Sequence, residues 1–391
     1  MITKIILIND CPFSKRIYDF FDIEFFVNNG FEVELWDLSA VFSVEKINKV
    51  VDDPFLESRY YSFLNKENVQ FRIRGLESNC FIFLLSEYRI KTFFIYQEIS
   101  QKRIPYGILL NPASAEYIPG VFNLILYKVG RRRTWKGFMN RLFTTLLPWH
   151  FFKILPASLC CIDGRLSSKD TLRFYRFPIN HSSKILKLHT TDYNYFLRRN
   201  HTNLCVVSEP TIVFLDTNLF AEDALSISGK HPILASEYYP MLCKFFDEIE
   251  KKYNNRIVIA AHPTSSHEKL LRYFCGREII KWKTGELVRT SSAVICDGSF
   301  SVHFAVLYQK PIIFIIMDRF PLLLRNHITN LSFRLGGTPI NLNGYPFTFD
   351  ERDIFKINKE KYQKYQELFL QTGENNSISN DQAMMTAIQK L

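Results

Sequence analysis

The chain has 391 residues, of which 47% are hydrophobic and 23% charged, a composition that excludes a wholly disordered protein. At roughly 150 residues per domain, this length predicts two domains. The sequence has no run of about 18 uncharged apolar residues, so we predict no membrane-spanning helix. The formal net charge of +10 favours anionic partners such as nucleotides, nucleic acid, anionic lipid or phosphorylated glycans. The alternative is a basic protein with no such partner.

The cysteines and the first residues both predict an intracellular protein. The chain has eight cysteines, no two of them are spaced as CxxC, and most lie in apolar runs such as "SLCCI" and "AVICDG". This pattern favours buried reduced thiols and gives no support to a zinc ribbon. The first residues, "MITKIILIND", lack the features of a signal peptide and predict a β-strand. We therefore expect a cytoplasmic location.

The first half of the chain begins as a doubly wound α/β domain. Residues 4–9 predict a strand, residues 17–30 a helix that ends at Gly30, and residues 31–38 a second strand. No GxGxxG follows the first strand, so the dinucleotide-binding fingerprint is absent. The elements predicted further along are a strand at 69–74, a helix at 90–104, a strand at 105–110, a strand ending at Asp163, a strand ending near His189, and a helix opening at Thr191 or Asp192.

Residues 127–155, which we call the basic aromatic segment, combine positive charge with aromatic groups. The segment contains seven Lys and Arg residues, no Asp or Glu, and several Trp and Phe residues. This composition is typical of a helix that lies in the interface of an anionic membrane. The alternatives are a helix whose apolar side packs into the core and a contact with nucleic acid.

The second half of the chain predicts a parallel sheet, because strands and helices alternate at the spacing of βαβ units. The predicted strands are 211–217, 256–262, 278–282, 293–297 and 311–316, and the predicted helices are 235–253, 265–275, 284–291 and 299–309. We therefore predict an α/β protein with two Rossmann-like domains, residues 1–207 and 208–355, that face each other across a cleft. Residues 356–391 predict C-terminal helices that pack back on the first domain.

Ligands of open parallel sheets bind outside the carboxyl ends of the strands. In the second half, the residues that follow predicted strands are mostly small, polar or imidazole groups: Asp216, Thr217, His262, Pro263, Thr264, Asp297, Gly298, Ser299 and Ser301. Ser299 and Ser301 flank the predicted start of a helix, where N–H groups and hydroxyls can bind an anion. We expect His262 to contact a phosphate as a cation or a donor, and the alternative chemical role is that of a general base. The alternatives are serines that only cap the helix and a structural histidine.

Two stretches of this half, "IVIAAHP" and "KTGELVRTSSAVICDGSFSVHFAVLYQKPIIFI", resemble the nucleotide-binding domain of GT-B glycosyltransferases. The resemblance is to bacterial surface-polysaccharide enzymes of the sialyltransferase, polysialyltransferase and Kdo-transferase kind, and it covers about residues 210–335. Those families carry an HP motif and a downstream serine pair that hold the nucleotide of a CMP-activated sugar. His262 and Pro263 match the HP motif, whereas the serines depart from the pair because Phe300 separates them. The resemblance also implies that Thr284, Gly285 and Glu286 lie near the ribose or the base.

The same resemblance implies a general base in the first domain. Related enzymes use a carboxylate of an acidic-acidic-Gly motif, and the nearest equivalent here is "CCIDGR", where Ile162 replaces the first acid and Asp163 is the second. Asp10 and Asp192 are the alternatives for deprotonating an acceptor hydroxyl. The sequence has no compact carboxylate cluster, and the resemblance implies a fold that needs no metal. We therefore predict neither a metal nor a cofactor.

We expect a bacterial glycosyltransferase that moves a sugar from a nucleotide-sugar donor to a glycan or lipid-linked glycan acceptor, with inversion, in capsule or lipopolysaccharide biosynthesis. The resemblance favours a CMP-activated nonulosonic acid or Kdo as the donor. The basic aromatic segment would dock the enzyme on the inner face of the cytoplasmic membrane, and nucleic acid is not an expected partner. Two alternatives are a transferase that moves a phosphopolyol from a CDP-activated donor and a non-catalytic polysaccharide-assembly protein on a GT-B fold.

Overall fold

The computed structural model describes residues 1–13, 15–42, 54–110, 149–163, 177–199, 210–220, 233–263, 265, 267–347, 355–373 and 376–391. This part of the chain forms two compact units. Unit 1 comprises Met1–Asn194 and Gln371–Leu391, and unit 2 comprises Tyr195–Leu370. Thr264 and residues 127–148 of the basic aromatic segment lie outside the described residues.

Each unit is built around one sheet in which all paired strands are parallel. The strands are β1 Lys4–Asn9, β2 Glu32–Asp37, β3 Tyr60–Ser62, β4 Cys80–Leu84, β5 Tyr106–Leu110, β6 Leu159–Asp163, β7 Lys184–Leu188, β8 Thr211–Leu215, β9 Arg256–Ala261, β10 Ile279–Lys281, β11 Ala293–Cys296, β12 Ile312–Ile316 and β13 Ile340–Asn341. The sheet of unit 1 has the order β3-β2-β1-β4-β5-β6-β7, and that of unit 2 has the order β10-β9-β8-β11-β12-β13.

Most helices lie between consecutive strands, as parallel pairing requires. The helices are α1 Lys15–Phe20, α2 Ile23–Asn28, α3 Ser39–Phe42, α4 Pro54–Glu57, α5 Lys66–Arg74, α6 Phe93–Lys102, α7 Thr191–Arg199, α8 Ala235–Tyr253, α9 His267–Tyr273, α10 Thr284–Thr290, α11 Val302–Leu307, α12 Leu322–Leu335, α13 Lys359–Tyr365 and α14 Asn380–Ile388, with a 3₁₀ helix at Trp149–Phe152 and a π-helical turn at Gln366–Leu370.

Both sheets have the strand order of the Rossmann fold. Counted from the first strand of each unit, the order is 3-2-1-4-5-6, and unit 1 adds a seventh strand. The prediction of an α/β protein with two Rossmann-like domains is therefore confirmed. In this order, the strands that follow the first one are added on one side of it up to the third strand and on its other side from the fourth strand on. The candidate site lies at this reversal, next to the first strand of unit 2.

The apolar runs of the sequence become strands that are buried on both faces. In β1, Ile6 and Ile8 belong to one hydrophobic cluster, whereas Ile5 and Leu7 belong to a second one. The first cluster includes apolar residues of α5 and α6, and the second includes residues of α2 and α14. A sheet covered on both faces needs continuous apolar strands, which explains why "KIILIN" shows no alternation of polar and apolar residues.

The last helix, α14, is fixed to unit 1 by buried polar groups. The Asn380 side chain accepts a hydrogen bond from the His189 N–H (2.8 Å) and donates one to the His189 carbonyl oxygen (3.0 Å). The neighbouring carboxylate of Asp381 accepts from the Asp22 N–H (3.0 Å). Burial lowers the pKa of His189 to about 4, and its Nδ1 accepts from the Thr372 N–H. By contrast, α13 belongs to unit 2.

The predicted strand at 69–74 is wrong, because these residues form the second part of α5. Val69, Phe71 and Ile73 alternate with polar residues, which indicates a strand. The structure buries Val69 and Ile73, which are four residues apart, and leaves Phe71 79% exposed. Asn65 starts the helix, since its side chain accepts from the Asn68 N–H. The four-residue spacing of the buried side chains and the N-cap at Asn65 therefore favour a helix over the strand that the alternation of polar and apolar residues predicts.

Two further differences concern the first half and the end of unit 2. The helix predicted at 17–30 is divided into α1 and α2, because Asp22 caps a new helix by accepting from the Phe25 N–H. Strand β4 and helix α12 were not predicted. The predicted elements at 31–38, 90–110 and 211–316 are found within a few residues of their predicted bounds.

Candidate functional site

The order of the unit 2 sheet creates a switch point between β8 and β11, where the connections leave in opposite directions. Ligands of doubly wound sheets bind at such a point, beyond the carboxyl ends of the strands. Asp216 and Thr217 follow β8, and Asp297 and Gly298 follow β11. The Thr217 hydroxyl lies 3.2 Å from Oδ2 of Asp297 and bridges the switch point. The structure therefore brings together residues that the sequence places 80 positions apart.

The buried carboxylate of Asp216 organises the loops around the switch point. Its Oδ2 accepts hydrogen bonds from the His262 N–H (3.1 Å) and the Ser265 hydroxyl (3.0 Å), and its Oδ1 accepts from the Asn218 N–H (3.0 Å). These donors belong to the segments after β8 and β9. The helix predicted at 265–275 begins at His267 instead, and the Ser265 hydroxyl before it donates to Asp216.

Asp297 is the second carboxyl group at the switch point, and it is 1% exposed. Its Oδ2 accepts from the Tyr238 hydroxyl (2.6 Å) and from Thr217, whereas Oδ1 has no hydrogen-bond partner among the described residues. Burial, with a smaller contribution from the charge of Asp216, raises the pKa of Asp297 to about 7. The Tyr238 hydroxyl, which comes from α8, was not identified from the sequence.

His262 lies at the carboxyl end of β9 with its side chain half-buried, and Pro263 beside it is exposed. Burial lowers the pKa of His262, the charge of Asp216 opposes this effect, and the charge of Lys281 adds to it. The imidazole is therefore mainly neutral at pH 7 in the free protein. A phosphate placed beside the ring would favour its protonated form. The side chain thus has the properties of a phosphate contact that gains a proton on binding.

The turn between β11 and α11 depends on a glycine. Gly298 has a φ of +112°, and a Cβ there would lie 3.0 Å from Cδ1 of Leu324. Its carbonyl oxygen lies 3.2 Å from Nε2 of His327. The hydroxyls of Ser299 and Ser301 are half-exposed and form no hydrogen bond with any described residue, and Ser301 precedes α11 without capping it by its side chain. Both hydroxyls can therefore bind a ligand.

Trp282 is an exposed aromatic residue at the same edge of the sheet, and the sequence analysis did not single it out. It follows β10 directly, is 44% exposed and has a φ of +65°. A bulky residue in this backbone region is uncommon and is often found at functional sites. Lys281 and Lys283 flank it, and the Lys281 ammonium group donates to the Ser265 carbonyl oxygen. A tryptophan between two lysines after a short strand is the signal that would have identified it.

The structure places Thr284, Gly285 and Glu286 in the first turn of α10, which follows Trp282. A Cβ on Gly285 would lie 2.6 Å from the Tyr195 ring, so this glycine is required by packing. The Tyr195 hydroxyl is 3.4 Å from Oε1 of Glu286. The first turn of α10 begins at the carboxyl edge of the sheet, but no described contact joins these three residues to the groups around Asp216.

The three predicted candidates for the general base all lie at the carboxyl edge of the unit 1 sheet. Asp10 follows β1 and forms an ion pair with Lys91. Asp163 is the last residue of β6, in register with Leu188, and its side chain lies outside the described atoms. Asp192 is in the first turn of α7, after β7. Three strand spacings separate β1 from β6, or about 14 Å, so Asp10 and Asp163 cannot act on one hydroxyl.

The described end of the basic aromatic segment packs in part against unit 1. Trp149 and Phe152 contact the first hydrophobic cluster, whereas Phe151 is 71% exposed. Six of the seven basic residues of the segment precede residue 149 and lie outside the described residues. In the part of the chain that the structure describes, no helix has both the length and the apolar character that a membrane span requires.

Comparison with known proteins finds similarity at the level of solved structures. No protein-family model and no curated protein matches the chain. Solved structures with a similar fold include Anabaena HepE in complex with UDP and glucose (10% identity, 100% of this chain and 100% of that chain, TM-score 0.48) and UDP-GlcNAc 2-epimerase from Methanocaldococcus jannaschii (12%, 100% and 99%, 0.47). A 2,6-sialyltransferase from Photobacterium sp. JT-ISH-224 in complex with CMP and lactose is also similar, with 12% identity and a TM-score of 0.45. That match covers 84% of this chain and 76% of the other chain. These weak similarities assign no role to any residue of this chain.

The buried carboxyl of Asp297 makes the stability of unit 2 depend on pH. Folded Asp297 keeps its proton up to about pH 7, whereas the unfolded carboxyl loses it near about pH 3.9. The free energy of unfolding contributed by this group therefore falls as pH rises between these values and is constant above them. Urea unfolding at about pH 5 and about pH 8 should show that Asp297→Asn gains stability relative to wild type at the higher pH, by at most about 3 kcal/mol.

The matched control for this prediction is Asp318→Asn, which changes an exposed carboxylate after β12 of the same sheet. Its stability relative to wild type should not change in this way with pH. A pH-independent difference between Asp297→Asn and wild type would mean that Asp297 is ionised in the folded protein.

Proposed function

We propose that the protein is a glycosyltransferase that binds a nucleotide-activated sugar at the carboxyl edge of the unit 2 sheet. The observation that carries this proposal is the switch point itself. There, a half-buried and mainly neutral His262 follows β9, the strand next to β8. The Ser299 and Ser301 hydroxyls follow β11 and have no hydrogen-bond partner among the described residues. This set offers hydrogen-bond donors and a group that can gain positive charge, which are the groups that a phosphate requires.

Aromatic and polar groups beyond β10 support a nucleotide rather than phosphate alone. Trp282 offers an exposed indole face on which a base can stack, and stacking is worth about 1–3 kcal/mol per base. The exposed Lys283 adds positive charge beside it. Glu286, which the resemblance places near the ribose or the base, lies in α10, three residues after Lys283, and can accept hydrogen bonds from hydroxyl groups.

The donor that we favour is a CMP-activated nonulosonic acid or Kdo, and the acceptor is a glycan or a lipid-linked glycan of a bacterial surface polysaccharide. This preference comes from the resemblance of the HP motif at His262 and Pro263 to the sialyltransferase and Kdo-transferase families. Inversion at the sugar carbon would need one base, and the resemblance implies that no metal ion is required. His262 and the two serine hydroxyls would then stabilise the departing phosphate.

Nucleotide binding tests the proposal through His262. We expect CMP or CDP to bind, and His262→Ala to weaken binding about 10- to 100-fold, because a hydrogen bond to a charged group is lost. Since phosphate raises the pKa of the ring, wild-type affinity should increase as pH falls from about 8 to about 6, and this dependence should be absent in the variant. Isothermal titration calorimetry at several pH values measures both effects.

The control variant is His181→Ala, which removes an exposed histidine of unit 1 and should leave affinity unchanged. A panel of CMP, CDP, UDP, GDP, ADP and NAD defines the donor class. Binding of UDP or GDP alone would overturn the CMP donor but not the site. Turnover of a CDP-polyol and of no CMP-sugar would identify a phosphopolyol transferase. Absence of binding by every nucleotide would overturn the proposal.

We further propose that one of Asp10, Asp163 and Asp192 is the general base. The change of one of them to Asn should lower the rate of transfer by about 10²- to 10⁴-fold, because the acceptor hydroxyl keeps its proton. Nucleotide affinity should stay within about twofold of wild type, since all three belong to unit 1. Transfer assays and calorimetry on Asp10→Asn, Asp163→Asn and Asp192→Asn decide between them. Full activity in all three variants would place the base at another residue.

We also propose that the basic aromatic segment binds an anionic membrane surface. Each Lys or Arg near such a surface contributes about 1 kcal/mol, so changing Arg131, Arg132 and Arg133 to Ala should weaken binding to phosphatidylglycerol vesicles about 100-fold at low salt. Vesicle co-sedimentation at increasing salt measures this effect. A control with the same loss of charge changes the exposed Lys66, Lys102 and Arg103 of unit 1. Binding that is insensitive to the arginines and to salt would contradict the proposal.

A further inference from the structure

Two cysteines of unit 2 lie in contact although they are far apart in sequence. Cys243 is on α8, and Cys275 lies just after α9. Their Sγ atoms are 3.0 Å apart, and 32 positions separate them along the chain. We propose that Cys243 and Cys275 form a reversible disulfide when the protein meets a peroxide. This site is independent of the nucleotide site proposed above.

The contact between the thiols is set by their neighbours. Tyr239, one turn before Cys243 on α8, stacks on Tyr273 with ring centroids 4.1 Å apart and planes 4° apart. The Cys243 thiol also donates to the Tyr273 carbonyl oxygen at 3.2 Å. The chain segment before Cys275 is therefore held against the turn of α8 that carries Cys243.

A second clamp lies on the other side of Cys275. The Arg277 guanidinium, with a side chain only 8% exposed, contacts the carboxylates of Asp247 (2.5 Å) and Glu250 (2.6 Å), both on α8. Cys275 thus lies between two residues that are each fixed to the same helix. Because the ring stacking and the Arg277 ion pairs do not depend on the thiols, they hold the two sulfur atoms in position for a bond. Closing the gap to a disulfide length of about 2.05 Å needs a movement of about 1 Å.

The two cysteines differ in access, which assigns them different roles. Cys275 is exposed, whereas Cys243 is buried, and burial together with the neighbouring thiol raises the pKa of Cys243 to about 12. Peroxides react with accessible thiolates, so Cys275 is the residue that is oxidised first. The buried Cys243 then reacts with the product.

The chemistry balances with peroxide as the two-electron oxidant. The Cys275 thiolate attacks one peroxide oxygen, the O–O bond breaks, and after proton transfer the products are a sulfenic acid and water. The Cys243 sulfur then attacks the Cys275 sulfur, the S–O bond breaks, and a second water leaves with the Cys243 proton. Two thiols and one hydrogen peroxide therefore give one disulfide and two waters. A thiol reductant reverses the bond by exchange.

The proposal is tested on the full-length protein with hydrogen peroxide. After oxidation, blocking of free thiols and trypsin digestion, we expect a cross-linked species that joins residues 231–244 to residues 273–277, lighter by two hydrogen atoms than its parts. Dithiothreitol should abolish it. The species should be absent in Cys275→Ser and present in Cys11→Ser, which removes the other exposed described cysteine.

A dimedone probe distinguishes the roles of the two thiols. In Cys243→Ser, the sulfenic acid of Cys275 has no resolving thiol, so dimedone labelling at Cys275 should be several-fold higher than in wild type. The peptide map of the wild-type protein decides the question even if a variant does not fold. Oxidation of wild-type Cys275 to sulfinic acid with Cys243 still free, or pairing of Cys275 with a different cysteine, would overturn the proposal.

Discussion

The carboxylate of Asp216 is the constraint on which the candidate site depends. A parallel sheet leaves the segments after its strands to find their own hydrogen bonds, because the ladder ends there. Asp216 accepts from two backbone N–H groups and from one buried hydroxyl, and so fixes the segment after its own strand and the segment after the neighbouring strand. His262 is positioned through its backbone N–H.

Asp297 is a second acidic group beside Asp216, and its raised pKa keeps it largely protonated below about pH 7. Asp297 lies across the switch point with its carboxyl fully buried, and both burial and the charge of Asp216 raise its pKa to about 7. Two ionised carboxylates here would repel a phosphate, whereas one ionised and one neutral group leave the edge less negative. The ammonium group of Lys281 adds a positive charge at this edge, whereas the mainly neutral His262 adds one only when it gains a proton.

The sequence predicts the fold of unit 2 well because its elements have unambiguous patterns. Buried strands such as 256–262 are short apolar runs, and α8 has an amphipathic period over 19 residues, so neither can be mistaken. The first half is harder to predict, because polar and apolar residues alternate at 69–74 as they would in a strand. Only the N-cap at Asn65 indicates that these residues form a helix.

The site is predictable in its position but not in its contacts. Residues that follow strands can be named from the sequence, and His262, Gly298, Ser299 and Ser301 all lie at the predicted edge. The roles of Tyr238 and Ser265 depend on which helix packs against which strand end, and no local pattern encodes that. Gly285 illustrates the converse, because a close approach of the Tyr195 ring accounts for it without any ligand.

Helix α8 connects the two parts of unit 2 that carry chemistry. Near its first turn, the Tyr238 hydroxyl donates to Asp297 at the switch point, and further along it carries Cys243 and the carboxylates that hold Arg277. Helix α9 runs back from the carboxyl edge of the sheet, where His262 lies, to the amino edge, where β10 begins shortly after Cys275. A bond between Cys243 and Cys275 would therefore add a covalent tie at the amino edge, whereas the groups proposed to touch a ligand lie at the opposite edge.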